Sequence, residues 1–149
     1  MRLGKYLKPA SILIGLKAGD KWRAIDALLE LLDRQGLVAD AVEVRRDLIA
    51  RENKMSTGME HGLALPHAKS AGAKDLAVAL GIAPEGVDFD SLDGQPARII
   101  FLIVSRVDRS GPHIQCLAEI SSLCIREDVR KALLAARTPD QALRALRMR

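Results

Sequence analysis

An unbroken apolar and largely β-branched run from Ile99 to Val104 is the segment that most constrains the fold. A strand with no polar side chain on either face has to be covered on both faces. Sheets with one face in water instead show alternating apolar and polar residues along each strand. The run therefore predicts a central strand buried between two layers.

The remaining chain alternates strand and helix patterns. Short apolar or alternating stretches predict strands at 11–15, 63–65 and 76–82, and 84–96 is a turn-rich connection. Helical spacing and capping residues predict helices at 20–36, at 40–51, from 113, at 128–136 and from 139 onwards. Interleaved strands and helices indicate an α/β fold, and the absence of repeats and linkers predicts one domain over 1–149.

The helix that begins near His113 carries both cysteines of the chain, Cys116 and Cys124. We expect it to bury one apolar face and to direct Cys116 away from it; the expected face comprises Ile114, Leu117, Ala118, Ser121, Cys124 and Ile125. Eight residues of helix separate the two cysteines by roughly 12 Å, which is beyond the reach of a disulfide. Reduced thiols are therefore expected.

Composition excludes several classes of protein. Hydrophobic residues make up 48% of the 149 residues, which indicates a globular chain, and aromatic residues make up only 3%, too few for a base-stacking surface. The net charge of +4 is spread along the chain, so nucleic acid is a minor alternative. No apolar run reaches the length of a membrane span and the start lacks a signal-peptide core, which predicts a cytoplasmic protein that is not membrane-embedded.

The apolar stretch before His67 ends in a proline, in the run Gly62-Leu63-Ala64-Leu65-Pro66-His67. Pro66 has no N–H to give to a sheet, so the strand is expected to end there or to lie at an edge. His67 then follows the carboxyl end of a strand, where open α/β sheets commonly place their sites. Its imidazole is a nucleophile that suits phosphoryl transfer, whereas an isolated Pro-His pair is more often a surface turn.

Four residues are candidates for a site: His67, His113, Arg51 and Thr57. His113 is expected at a helix start, where free N–H groups favour an anion, but it also suits an ordinary helix start. Arg51 offers a planar fork for phosphate or simply complements the end of its helix. Thr57 offers a hydroxyl to the nucleophile or the phosphoryl group, or caps a turn.

Metal and nucleotide sites are not expected. The candidate ligands His61, His67, His113 and Cys116 lack zinc-site spacing, and neither glycine-rich nucleotide motif is present. We predict no cofactor and no metal, and we interpret His61 as exposed and incidental.

Several motifs, in order and at matching separations, resemble one family. They are Arg51-Glu52, Ser56-Thr57-Gly58, Gly62 to His67, the stretch Val87 to Pro96, and Gly111 to Ala118 with its histidine. Together they resemble the fructose/mannitol-type enzyme IIA of the phosphotransferase system, over nearly the whole chain. The resemblance implies a single-domain α/β sandwich with a mixed central sheet flanked by helices. It also implies that His67 is the phosphorylated histidine and His113 the second active-site histidine.

The function implied by this resemblance is that of a histidine phosphocarrier, a phosphotransferase that accepts a phosphoryl group from HPr or its nitrogen-branch relative. The chain's opening and its 88–96 stretch are more similar to the nitrogen-regulatory proteins, and no fused membrane or carrier domain is recognisable, so we expect a regulatory branch acting on a kinase, transporter or transcription factor. A sugar-transport component and a non-transferring binding module remain alternatives. We further predict that His67, His113 and Arg51 share one shallow pocket, and that its apolar rim includes Met59 together with Leu63 or Met55.

Overall fold

A five-stranded mixed sheet forms the middle layer of the computed structural model, which describes residues 3–147. The strands are β1 (Ile12–Ile14), β2 (Leu63–Ala64), β3 (His67–Lys69), β4 (Ala77–Val87) and β5 (Ala97–Ser105). The helices are α1 (Leu3–Tyr6), α2 (Lys21–Arg34), α3 (Ala41–Lys54), α4 (Ser110–Cys124), α5 (Glu127–Ala135) and α6 (Pro139–Leu146). A 3₁₀ turn at Pro9–Ser11 precedes β1.

Strand β5 pairs with three of the other four strands. It pairs antiparallel with β4 along one side, and both β2 and β3 run parallel to its other side; β1 completes the sheet by pairing parallel with β4. All the residues from Ile99 to Val104 are buried, so the predicted central strand is confirmed. The predicted α/β fold with a mixed sheet between helices is confirmed as well.

Pro66 divides one edge of the sheet into two short strands. Strand β2 ends at Ala64, and β3 begins at His67, both against β5. The carbonyl of Pro66 still accepts from the N–H of Ile103 at 3.0 Å, although the proline itself has no N–H to donate. His67 therefore follows the end of one strand, as predicted, and is also the first residue of the next.

Side chains of β4 and β5 alternate between two apolar layers. Val78 and Phe101 belong to the core that includes residues of α4, α5 and α6. Ala79 and Leu102 belong to the core that includes residues of α2 and α3. The helices therefore cover both faces of the sheet and place α3 and α4 on opposite sides of β3 and β5.

The predicted end of β4 and the predicted end of α3 were wrong. Strand β4 continues through Pro84 to Val87, past an irregularity in its pairing with β5, so the turn-rich connection begins only after Val87. Helix α3 runs beyond Arg51 to Lys54 because no breaking residue intervenes, and the loop before His67 is correspondingly shorter.

The predicted buried face of α4 was also largely wrong, because among its members only Cys124 is buried. The buried residues are His113, Cys116, Ile120 and Cys124, whereas Ile114 and Ile125 are 61% and 72% exposed. Helix α4 has two apolar faces, and the one that contains Cys116 packs against the sheet. Burial raises the pKa of both cysteine thiols to about 12, and neither forms a disulfide.

None of the helices within residues 3–147 is long and apolar enough to cross a membrane.

Candidate functional site

A cleft of about 510 Å³ opens between the end of α3, strand β3 and the first turns of α4. His67, His113 and Arg51, which the sequence predicts to converge, all line it. Lys54 and Lys69 add two more cations, and the other lining residues are Asp47, Ala50, Ala68, Ile114 and Leu117. The cleft thus combines two imidazoles with a predominantly positive wall.

The backbone fixes the orientation of the His67 ring. Its Nδ1 lies 2.7 Å from the carbonyl oxygen of Leu65. Because a carbonyl only accepts, Nδ1 carries the proton and donates it, which leaves the lone pair on Nε2. The ring, only partly buried, therefore has its unprotonated nitrogen available as a nucleophile.

The electrostatic surroundings of His67 keep its ring neutral. Its pKa is lowered from the ordinary value, chiefly by burial and further by the positive charge of Arg51. The hydrogen bond to Leu65 and the negative charge of Glu52 oppose that shift. The ring is consequently uncharged at neutral pH, the state that a nucleophile requires.

His113 lies beside His67, with 5.6 Å between the ring centroids and 58° between the ring planes. The residue is 3% exposed, and its Nδ1 lies 2.6 Å from Oγ of Ser105 at the end of β5. Burial, followed by repulsion from His67 when that ring is protonated and from Lys69, lowers the pKa of His113 to about 4. A second neutral imidazole thus stands next to the first.

The helix around His113 differs from the sequence prediction. Helix α4 begins three residues earlier, at Ser110, and the N–H of His113 donates to the carbonyl of Arg109 at 3.2 Å. The predicted free N–H at this residue was therefore wrong. What His113 contributes to the cleft is its side chain.

Arg51 lies in the last turn of α3, and its Nη1 donates to the carbonyl of Met55 at 2.8 Å. That bond satisfies a carbonyl beyond the helix end, which is the structural role considered for it from the sequence. The same side chain lines the cleft and acts on the pKa of His67. This one conformation is compatible with both interpretations of Arg51.

Thr57 is buried and does not line the cleft. Its hydroxyl donates to Oε1 of Glu52 at 2.6 Å, and its N–H donates to Oε2 of the same carboxylate at 2.8 Å. The expectation of a direct bond to the nucleophile or to a phosphoryl group was wrong, because the hydroxyl of Thr57 donates its hydrogen bond to Glu52 instead. The carbonyl of Thr57 does contact the site, since it accepts from the N–H of Leu65 at 3.1 Å.

Sequence reasoning missed Lys54, Lys69 and Ser105. Lys69 is two residues after His67 on the same strand, so the two-residue period of a strand predicts that both face the same side. Lys54 is three residues after Arg51, which places both on one helix face. Ser105 had no local signal, because it meets His113 only through the packing of α4 on β5.

The predicted apolar rim is only partly present. Met55 is 68% exposed and Met59 is partly exposed, but Leu63 is buried, and none of the three lines the cleft. Met59 and Leu63 instead line a second depression of about 270 Å³. Ile114 and Leu117 provide the apolar rim of the histidine cleft. His61 is exposed, as expected, and has a left-handed backbone with φ of 63°.

The arrangement suits the transfer of an anionic group. Nε2 of His67 supplies a lone pair, and the cations of Arg51, Lys54 and Lys69 favour negative charge in the same space. Within residues 3–147, His, Cys, Asp and Glu side chains form no group of three or more that is placed to hold a metal ion.

The profile of the family described as "Phosphoenolpyruvate-dependent sugar phosphotransferase system, EIIA 2" matches residues 5–148. The chain belongs to this family. It is an EIIA-type phosphocarrier of the phosphotransferase system. The order of motifs from Arg51 to Ala118 is thus explained by family membership.

Relatives in this EIIA family carry two kinds of name. The chain is 35% identical over 140 residues to the fructose-specific EIIABC component of Bacillus subtilis, covering 94% of this chain but 22% of that protein. It is 31% identical to a nitrogen regulatory protein of Pseudomonas aeruginosa, covering 94% and 91% of the two chains. The chain thus spans about a fifth of the first relative and nearly all of the second.

Solved EIIA structures share this fold. The nitrogen regulatory protein IIA-Ntr of Neisseria meningitidis superposes with a TM-score of 0.89 at 28% identity, over 97% of this chain and 98% of that one. Enzyme IIA of mannitol from Escherichia coli, in its complex with phosphorylated enzyme IIB, superposes with a TM-score of 0.83 at 26% identity, over 96% and 98%.

Proposed function

We propose that this EIIA protein accepts a phosphoryl group on Nε2 of His67 from a histidine-phosphorylated carrier protein. The observation that carries the proposal is the hydrogen bond from Nδ1 of His67 to Leu65, which leaves Nε2 as the nucleophilic nitrogen. The neutral state of the ring, the adjacent His113 and the cationic wall all suit this step.

The reaction exchanges one N–P bond for another. The Nε2 lone pair of His67 attacks phosphorus, and the bond from phosphorus to the donor's imidazole breaks with its electron pair returning to that ring. No proton has to move, because Nδ1 of His67 keeps its hydrogen. The acceptor ring becomes positively charged, which the carbonyl of Leu65 stabilises.

His113 and Arg51 are assigned to stabilising the transferred group. When the hydroxyl of Ser105 donates to Nδ1 of His113, the neutral ring has its proton on Nε2 and donates it to a phosphoryl oxygen. Arg51 offers charge-assisted bonds to the remaining oxygens. We assign Thr57 an indirect role through its carbonyl contact with Leu65.

The donor is a protein, which we identify by class as HPr or its nitrogen-branch relative. A protein donor has to dock around the cleft, and the rim offers Ile114, which is 61% exposed, beside Lys54 and Lys69. Apolar contact with a surrounding positive charge favours an acidic partner surface. The mannitol relative, whose solved structure is a complex with phosphorylated enzyme IIB, provides a precedent for docking of a phosphorylated protein on this fold.

We assign the protein to a regulatory branch, with a kinase, transporter or transcription factor as its target. The support is the nitrogen regulatory relative, 91% of whose length this chain covers. We propose the cytoplasm as its compartment, since that is where phosphoenolpyruvate is produced. A sugar-transport role is the second candidate, because the fructose-specific relative has the higher identity, 35%.

Intact-mass spectrometry tests the phosphoryl acceptor. Wild-type protein, His67→Ala and His61→Ala are incubated with phosphorylated HPr-type carrier. Wild type and His61→Ala are expected to gain one acid-labile phosphoryl group, and His67→Ala none. An unchanged gain in His67→Ala contradicts the assignment, and no gain in wild type with either HPr or a nitrogen-branch carrier favours a non-transferring module.

Partner capture separates the two branches. Wild type, His67→Ala and His67→Glu are used as baits, because a negative charge at His67 changes the surface that a target meets. A regulatory role predicts that a kinase, transporter or transcription factor binds these forms unequally. Recovery of only a sugar permease, equally by all three, contradicts the regulatory branch.

A further inference from the structure

Glu52 is a buried carboxylate next to Arg51 that the transfer step above does not use. Its side chain is 1% exposed. The two hydrogen bonds from Thr57 and a contact of 3.4 Å from Nζ of Lys21 converge on its two oxygens. All three partners are donors, which is the set that an ionised carboxylate accepts. A buried charge is rarely kept in a protein without such a full set of partners.

A continuous series of hydrogen bonds joins this carboxylate to the nucleophile. Glu52 accepts from the N–H and the hydroxyl of Thr57, and the carbonyl of Thr57 accepts from the N–H of Leu65 at 3.1 Å. The carbonyl of Leu65 then accepts from Nδ1 of His67 at 2.7 Å. Pro66 limits the backbone freedom of the segment between these last two groups. The last bond holds the ring of His67, and the others hold the backbone of Thr57 and Leu65 that makes this bond.

The charge of Glu52 also acts on His67 through space. It opposes the effect of Arg51 by raising the pKa of His67. Lys21 contacts both Glu52, at 3.4 Å, and Asp90, at 3.1 Å, so its single positive charge is shared between two carboxylates. Nδ1 remains protonated when Nε2 takes a phosphoryl group, so the ring becomes positive, and a nearby negative charge favours that product.

We propose that Glu52 is a positioning residue for phosphoryl transfer to His67. Through Thr57 and Leu65 it holds the bond that leaves Nε2 free, and its negative charge favours the positively charged phosphorylated ring. The proposal rests on the proposed function of His67 as acceptor. Glu52 and Thr57 then have one shared role. They orient the ring of His67 from its Nδ1 side, opposite the Nε2 atom that attacks.

Glu52→Gln tests the proposal because it keeps the shape of the side chain and removes its charge. Glu30→Gln is the matched control, since Glu30 is exposed on α2. In ¹⁵N-histidine NMR we expect the pKa of His67 to fall in Glu52→Gln and to stay unchanged in Glu30→Gln. We also expect phosphoryl transfer in Glu52→Gln to slow about tenfold, as for a weakened charge-assisted contact. A merely structural role would lower stability without changing the pKa of His67 in the folded protein.

A folded Glu52→Gln with the wild-type pKa at His67 and the wild-type rate overturns the proposal. Should Glu52→Gln fail to fold, Thr57→Val and Thr57→Ser decide, because only the first removes the hydroxyl bond to Glu52. Slowed transfer in Thr57→Val with recovery in Thr57→Ser supports the proposal, and a wild-type rate in Thr57→Val overturns it. The NMR titration needs no phosphoryl donor, so it still tests Glu52 if His67 proves not to be the acceptor.

Discussion

The two histidines of the cleft show how burial selects protonation states. Each ring uses Nδ1 for a hydrogen bond, His67 with a backbone carbonyl and His113 with the hydroxyl of Ser105. Burial lowers the pKa of both rings, so both are neutral at physiological pH. The transfer that we propose, in which His67 attacks and His113 donates to the phosphoryl group, therefore starts from two neutral rings.

The lowered pKa of His113 predicts that the stability of the protein depends on pH. Its pKa is about 4 in the folded protein, and an unfolded histidine has a pKa near 6.5. Between these values the unfolded chain binds more protons, so stability falls as the pH falls. From pH 7 to pH 4 this group should lower the free energy of unfolding by about 3 kcal/mol. Urea unfolding of wild type and His113→Gln, at several pH values, measures the difference; identical pH dependence in the two proteins contradicts it.

Gly58, in a loop, and Gly111, in a helix, differ in the space available for a side chain. A Cβ on Gly58 would lie 2.8 Å from the carbonyl oxygen of Phe89 and 2.9 Å from Cα of Ser91, whereas a Cβ on Gly111 meets nothing within 4 Å. Gly58→Ala should therefore cost about 1–3 kcal/mol of stability through overpacking against backbone. Gly111→Ala, in the first turn of α4, should be neutral or stabilising by up to about 1 kcal/mol. Thermal unfolding of both variants checks the opposite signs.

Among the elements, α3 and α4 bring the cations and the second imidazole to the strand that carries His67. Asp40 caps α3 by accepting from the N–H of Glu43 at 3.2 Å, as predicted from the sequence. Asp20 caps α2 and Thr138 caps α6 in the same way. These local signals fix where the helices begin, and hence where Arg51 and Lys54 lie.

The cap of α3 predicts a measurable contribution to stability. Asp40→Ala should lower the free energy of unfolding by about 1 kcal/mol, because one N–H of the first turn loses its acceptor. Asp33→Ala is the control, since Asp33 is exposed in the last turn of α2, where a negative charge opposes the helix dipole. Denaturant unfolding should show a loss in the first variant and no loss in the second; equal losses contradict the cap assignment.

Local patterns in the sequence predicted the elements better than their contacts. The central strand at Ile99–Val104 and the capped helix starts depend on neighbouring residues, and both are confirmed. The buried face of α4 was mistaken because its two apolar stripes are equally periodic, and only packing on the sheet selects between them. Ser105 at His113 and Glu52 at Thr57 were missed for the same reason, since long-range packing or loop folding makes these contacts.

At the scale of the whole molecule, α4 buries one apolar face against the sheet and leaves a second apolar face exposed. Ile114 lines the cleft and is 61% exposed, close to the basic residues of the wall. An apolar residue exposed beside a charged cleft is typical of a surface that a partner covers. Ile114 and the basic wall thus lie on the same side of the fold as His67, where we propose that the carrier docks.

Docking on this side predicts a selective defect. Ile114→Asp should weaken association with the phosphorylated carrier by about tenfold, as a lost apolar contact at an interface does. It should leave the fold intact. Val42→Asp is the control, because Val42 is 79% exposed on α3 but does not line the cleft. Transfer rates at varied carrier concentration, and at low and high salt, measure the effect; equal defects in the two variants contradict docking at the cleft.

We expect Nε2 of His67 to be the single atom of this protein that takes the phosphoryl group. Phosphorus–nitrogen coupling in protein carrying ¹⁵N-labelled histidine, after phosphorylation by the carrier, measures this most directly. We predict coupling to Nε2 of a single histidine, which is absent from His67→Ala, with Nδ1 of that ring still protonated. Coupling to Nδ1, or to a ring of His61 or His113, would contradict the account.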